Sequence, residues 1–194
     1  EAREDGGTPG FLQSIRAALS IQVKEQMGCK NIKEREDYLL NKVFTAFRQI
    51  PGLSILADND EDRIGVISFY LNGIHFNLVV RLLNDYFGVQ VRGGCSCAGT
   101  YGHYLLHVDY ATSCAITSKI NQGDLSEKPG WVRMSLHPTM TDAEVDYMIN
   151  AVKEVAANAK EWSKEYFYDP HINDYVHNTF PRKLPEDYID WFVI

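Results

Sequence analysis

Apolar residues recur at helical spacing from the start of the chain: Phe11, Ile15, Leu19 and Val23 share one face, and Gly28 supplies a stop. A second helix is predicted over 31–50, where Ile32, Tyr38, Leu39, Val43, Phe44 and Phe47 lie on one side and charges elsewhere, until Pro51-Gly52 ends it. The pattern then changes. "LSIL" and "IGVISFYL" flank the polar turn "ADNDEDR" and, being rich in β-branched and aromatic residues, predict two short strands. Helical periodicity returns in "FNLVVRLLNDYFG" through Phe76, Val79, Val80, Leu82 and Leu83, with Gly88 placed to close the helix in a left-handed conformation.

A strand is expected over 89–92, then a glycine- and cysteine-rich loop, then a short helix in "YGHYLLHV". "TSKINQGDLSEKPG" is polar and turn-rich and predicts a surface loop, while "WVRMSLH" predicts a strand. Thr141 and Glu144 form a capping-box pattern ahead of a long helical face of Val145, Met148, Ile149, Val152 and Val155. The remainder is aromatic and proline-punctuated without a period; its tryptophans and tyrosines predict docking onto a surface.

Helices alternating with short strands give an α/β fold, a small mixed sheet covered by helices. Three regions are expected: helices over 1–50 that pack on something beyond this unit, a small α/β domain over 51–160, and an aromatic extension over 161–194. With 45% hydrophobic and 23% charged residues in 194, the chain can bury a core. A net charge of −7 argues against nucleic acid as a partner. No run of 18 apolar residues and no leader segment is visible, so a soluble protein with no membrane span is expected. Cys29, Cys95, Cys97 and Cys114, without secretory context, fit reduced thiols in the cytoplasm.

The segment "VQVRGGCSCAGTYGHYLL" carries the candidate chemistry. A zinc site normally pairs C-x-x-C with a second cluster, which this C-x-C lacks, and Tyr104 stands where H-E-x-x-H would need Glu between His103 and His107. No metal is expected. A Cys95–Cys97 disulfide would be strained, and "RGGCSCAG" is not a phosphate-cradling glycine pattern. A structural cysteine or a functional thiol remains. Arg92 and the start of the helix after the loop favour thiolate, and Gly93, Gly94 and Gly99 allow the loop to move toward a substrate.

"GVQVRGGCSCAG" resembles the cysteine loop of cysteine desulfurases and selenocysteine lyases, members of the class V aminotransferase group of fold type I pyridoxal-phosphate enzymes. "GWVRMSLHPTMTDAEVDYMINAVKEV" is similar to that family's closing strand and helix, and "EDGGTPGFLQSIRAAL" to the segment following its cofactor lysine. The resemblance implies the C-terminal small domain of such an enzyme, acting on an amino-acid substrate with pyridoxal 5'-phosphate. Cys97 would be the nucleophile that takes the sulfur as a persulfide, and Arg133 would hold the substrate carboxylate through its planar fork. Arg92 occupies the place of a second arginine near the same site. Gly7 and Thr8 would contact the cofactor phosphate across a homodimer interface, and a sulfur-acceptor protein is an implied partner. Each residue also has a plain structural reading: an ion pair for Arg133, a helix-terminus contact for Arg92, a turn and cap for Gly7-Thr8, a loop residue for Cys97.

The family's Schiff-base lysine, its aspartate at the pyridine nitrogen and its stacking histidine all precede the Gly-Thr-Pro segment. The chain is therefore expected to be the C-terminal portion of a longer enzyme, with the large domain and its lysine elsewhere. A class V transaminase or another β-lyase with a bystander Cys97, or a non-catalytic interaction module, stays open. Mixed with pyridoxal phosphate and L-cysteine, the 194-residue chain alone is expected to release no sulfide; turnover together with a cofactor absorption band would contradict this.

Overall fold

A computed structural model describes residues 6–95 and 99–179. Two helices lead, α1 (Phe11–Met27) and α2 (Cys29–Phe47), followed by β1 (Leu53–Ile55), β2 (Val66–Leu71), α3 (Phe76–Phe87) and β3 (Arg92–Gly94). Beyond the loop come α4 (Gly99–Leu105), α5 (Tyr110–Asn121), β4 (Trp131–Ser135), α6 (Asp142–Trp162) and a hairpin of β5 (Tyr166–Asp169) and β6 (Asp174–His177).

The first four strands form one antiparallel sheet in the order β1-β2-β4-β3. Strict alternation in β2 sends Ile67, Phe69 and Leu71 to one face, where Val132 and Met134 of β4 join them. Helices α2, α3 and α6 cover that face. Phe47 of α2 and Phe69 of β2 are fully buried and meet edge-on with ring centroids 5.1 Å apart.

The second helix is integral to this core. Leu39, Leu40, Val43, Phe44 and Phe47 are all buried, and Arg35 to Asp142 (2.8 Å) and Lys42 to Asp146 (2.8 Å) stitch α2 to α6. By contrast, α1 buries none of its residues, and Phe11, Leu12, Ile15, Leu19 and Val23 remain exposed. Of the two helices within the region 1–50, α2 thus shares the core of the small domain while α1 adds no buried residue to it.

Local signals behave as their chemistry dictates. Thr141 Oγ1 accepts the Glu144 N–H at 3.2 Å while Glu144 accepts the Thr141 N–H at 2.7 Å, a complete capping box for α6. Gly88 closes α3 with φ 64°. Three elements depart from the sequence reading, the first being the strand expected over 89–92, which forms at Arg92–Gly94 instead. Residues 110–121 form a helix capped by Asp109, whose carboxylate accepts the Thr112 N–H at 2.8 Å, so the predicted loop at 117 begins inside its last turns. Only Ile116 of α5 is buried, which explains why no periodic face marks it. The aperiodic extension folds at 166–177 into the hairpin, which lies on α3 through the Arg81–Asp174 ion pair and a Tyr166 to Asp85 hydrogen bond of 2.8 Å. No helix among the described residues is long and apolar enough to cross a membrane.

Phe69→Ala is expected to lower the unfolding free energy by about 3–5 kcal/mol by opening a cavity under α2. Thr141→Ala should cost only about 1 kcal/mol through the lost cap. Urea titrations read both, and equal costs would contradict the placement of the core.

Candidate active-site face

Because β4 alternates, the residues between its core positions point to the opposite side of the sheet. Trp131, Arg133 and Ser135 share that second face. Arg133 pairs in register with Ser68 of β2 on one side and with Arg92 of β3 on the other, so Ser68, Arg133 and Arg92 form one row across three strands. Residues directly opposite in an antiparallel ladder have Cα atoms only ~4.5–5.5 Å apart.

Two arginines opposite one another are an unfavourable cross-strand pair unless an anion lies between or above them. Neither guanidinium has an ion pair or a hydrogen bond with another group among the described residues. The contrast within the domain is sharp: Arg35 meets Asp142, Arg48 meets Asp58 and Glu61, Arg63 meets backbone carbonyls, and Arg81 meets Asp174. Arg92 is exposed and Arg133 half-buried. Among the described residues both donor forks are thus open, and a guanidinium can hold a carboxylate with two parallel bonds.

Strand β3 can sit beside α3 because Gly93 has no side chain. A Cβ there would lie 2.7 Å from Asn77 Oδ1 and 3.0 Å from Phe76 and Val80. The glycine therefore sets the distance between the start of α3 and the strand carrying Arg92. Immediately after this strand, Cys95 is half-buried and carries a free thiol. It lines a mostly apolar cavity of about 160 Å³ together with Gly102, His103, Ile116 and Trp131. Trp131 forms the floor under α4, within 3.0 Å of where a Cβ on Gly102 would be.

Of the site residues read from sequence, Arg92 and Arg133 are brought together. Cys97 lies outside the described residues. Gly7 and Thr8 are exposed ahead of α1, and no hydrogen bond or ion pair among the described residues joins them to either arginine. Their chemistry still suits a phosphate edge: a hydroxyl and backbone N–H groups precede a helix start that no side chain caps, with open space beside Gly7. His103 and His107 do not form a ligand pair. His103 Nδ1 lies 3.2 Å from Ser113 Oγ, His107 sits past the end of α4 with φ 55°, and no cluster of metal-ligating side chains occurs among the described residues. Ser68 and Trp131 were not singled out from sequence, although the alternation of "WVRMS" assigns Trp131 to the face of Arg133.

A profile of the aminotransferase class-V family matches residues 1–148. A probable cysteine desulfurase of Halobacterium salinarum is 27% identical over 150 residues, covering 77% of this chain and 31% of that protein. A probable cysteine desulfurase of Staphylococcus aureus is 28% identical over 163 residues, covering 84% and 32%. In structure, the apo cysteine desulfurase of Thermococcus onnurineus aligns with a TM-score of 0.58 at 23% identity over 80% of this chain and 34% of that one, a likeness of fold. The chain spans about a third of the length of these relatives.

If the arginine row has no structural partner, Arg92→Thr should leave the urea midpoint unchanged or raise it, since a like-charge neighbour is removed and a good strand former introduced. A marked drop in the midpoint would assign Arg92 to the fold instead.

Proposed function

The chain belongs to the class V aminotransferase family, and we propose that it is the substrate-carboxylate and thiol half of a pyridoxal-phosphate enzyme that removes sulfur, or selenium, from an amino acid. The observation that carries this reading is the row of Arg92 and Arg133, two guanidinium groups side by side on one sheet face without a carboxylate among the described residues. An α-carboxylate satisfies both the charge and the geometry.

Each residue has a definite task. Arg133, set into the sheet between β2 and β3, grips the substrate carboxylate and thereby fixes which way the side chain projects. Arg92, on the edge strand β3, adds charge that draws in the anion. Pyridoxal phosphate, when bound, supplies the electron sink that labilises the bond to sulfur. Cys97 accepts the sulfur: its thiolate forms a sulfur–sulfur bond as the carbon–sulfur bond breaks, the carbon takes a proton, and alanine and a Cys97 persulfide result. Gly7 and Thr8 cradle the phosphate of the cofactor bound to the partner protomer in a homodimer. The persulfide passes on to a sulfur-acceptor protein in the cytoplasm, where Cys29, Cys95 and Cys114 stay reduced.

The test uses the full-length gene product loaded with pyridoxal phosphate, given L-cysteine or L-selenocysteine under reducing conditions. Alanine, sulfide or selenide, and a modified Cys97 are expected, with release abolished in Cys97→Ser. Arg133→Ala should lower kcat/KM by about 10–100-fold, the loss of a charge-assisted contact of about 1.5–3 kcal/mol. Undiminished sulfur release from Cys97→Ser would make Cys97 a bystander and move the protein to the transaminase or other β-lyase class.

A further inference from the structure

His75 is a side chain that the proposed chemistry does not use, and its surroundings are unusual. It caps α3: Nδ1 accepts the backbone N–H of Asn77 at 3.1 Å. Its other nitrogen, Nε2, is buried and has no hydrogen-bond partner among the described residues. The ring stacks on Phe76 at 4.4 Å, and Tyr168 and Tyr175 of the C-terminal hairpin lie over it with centroids at 5.2 and 5.5 Å.

Asn77 joins this cap to two other elements. Its side-chain amide donates to the carbonyl of Asn173 in the hairpin turn, and its Oδ1 is the atom that a Cβ on Gly93 would strike. Hairpin, helix start and β3 therefore meet at one residue whose backbone N–H is held by His75.

We propose that His75 is a positioning residue with a pH-dependent hold: its neutral imidazole clasps the 166–177 hairpin and the start of α3 against β3, and protonation releases that clasp. A protonated Nδ1 presents a hydrogen to the Asn77 N–H where a lone pair is needed. The cation would also sit, in buried surroundings, at the positive end of the α3 dipole. The charged and titratable groups around the ring are Asp174, paired with Arg81, and the phenols of Tyr168 and Tyr175. Burial pushes the His75 pKa below the ordinary 6.5, outweighing the Asn173 side chain and the Asp174 carboxylate, which act the other way. The sign follows: the released state binds the proton more readily, so the clasp is at full strength above about pH 6.5 and weakens as pH falls from there toward the lowered value. The effect on the segment presenting Arg92 rests on the function proposed above; the clasp itself does not.

The test is amide hydrogen exchange on the full 194-residue chain between pH 7.5 and 5, expressed as protection relative to the intrinsic rate at each pH. Protection of the hairpin strands and of Asn77 and Gly93 is expected to fall below pH 6.5 by up to about tenfold per unit. His75→Asn keeps a strong cap that cannot titrate and should abolish the dependence, whereas Asp174→Asn should retain it. Flat protection in the parent chain, an unchanged profile in His75→Asn, or a flat profile in Asp174→Asn would each overturn the proposal. Sulfur release is not part of the readout, so failure of the desulfurase reading leaves the result interpretable.

Discussion

The register in which β2 pairs with β4 governs both faces of the molecule at once. Opposing Phe69 to Val132 and Ile67 to Met134 builds the apolar side that α2, α3 and α6 cover. The same pairing opposes Ser68 to Arg133 and, through β3, Arg133 to Arg92. A slip of one residue would turn Arg133 into the core and Phe69 into solvent. The free energy of burying the phenylalanine and its neighbours is therefore also what holds the arginine row in place, and a stable fold and a charged site come from one alternation.

That arrangement concentrates constraint on the start of α3. Gly93 and Gly130 both lie against it, the first beside Asn77 and the second beside Phe76, where a Cβ would come within 2.5 Å of the ring. Close approach leaves β3 little freedom relative to the helix. The C-terminal hairpin, beyond the stretch that the family profile covers, fastens onto the same helix through Arg81, Asp85 and His75. The hairpin thus rests on the helix against which the strand carrying Arg92 packs.

Much of this is readable from the chain because it follows from period. The alternation of 66–71, the helical face of 145–155 and the Thr141–Glu144 box each carry their own local reason, and each forms as expected. Helix α5 was missed because it buries a single residue, leaving Asp109 as its only marker. The hairpin was missed because its stability comes from side-chain pairing with α3 rather than from a pattern within 161–179. For the proposed site, the motif resemblance singles out Arg92 and Arg133, but their shared row depends on strand order, which no local pattern encodes. His75 gave no signal of its own: a lone histidine before a helix reveals its environment only when the hairpin is in place.

In the proposed function, the second face of the sheet holds a substrate carboxylate. The most direct measurement is a crystal structure of the full-length protein with pyridoxal phosphate and L-alanine, the expected product. The Arg133 guanidinium is expected to hold the ligand carboxylate by paired hydrogen bonds, with Arg92 alongside. Arg133 paired instead with a carboxylate of the protein, and the alanine carboxylate held elsewhere, would contradict it.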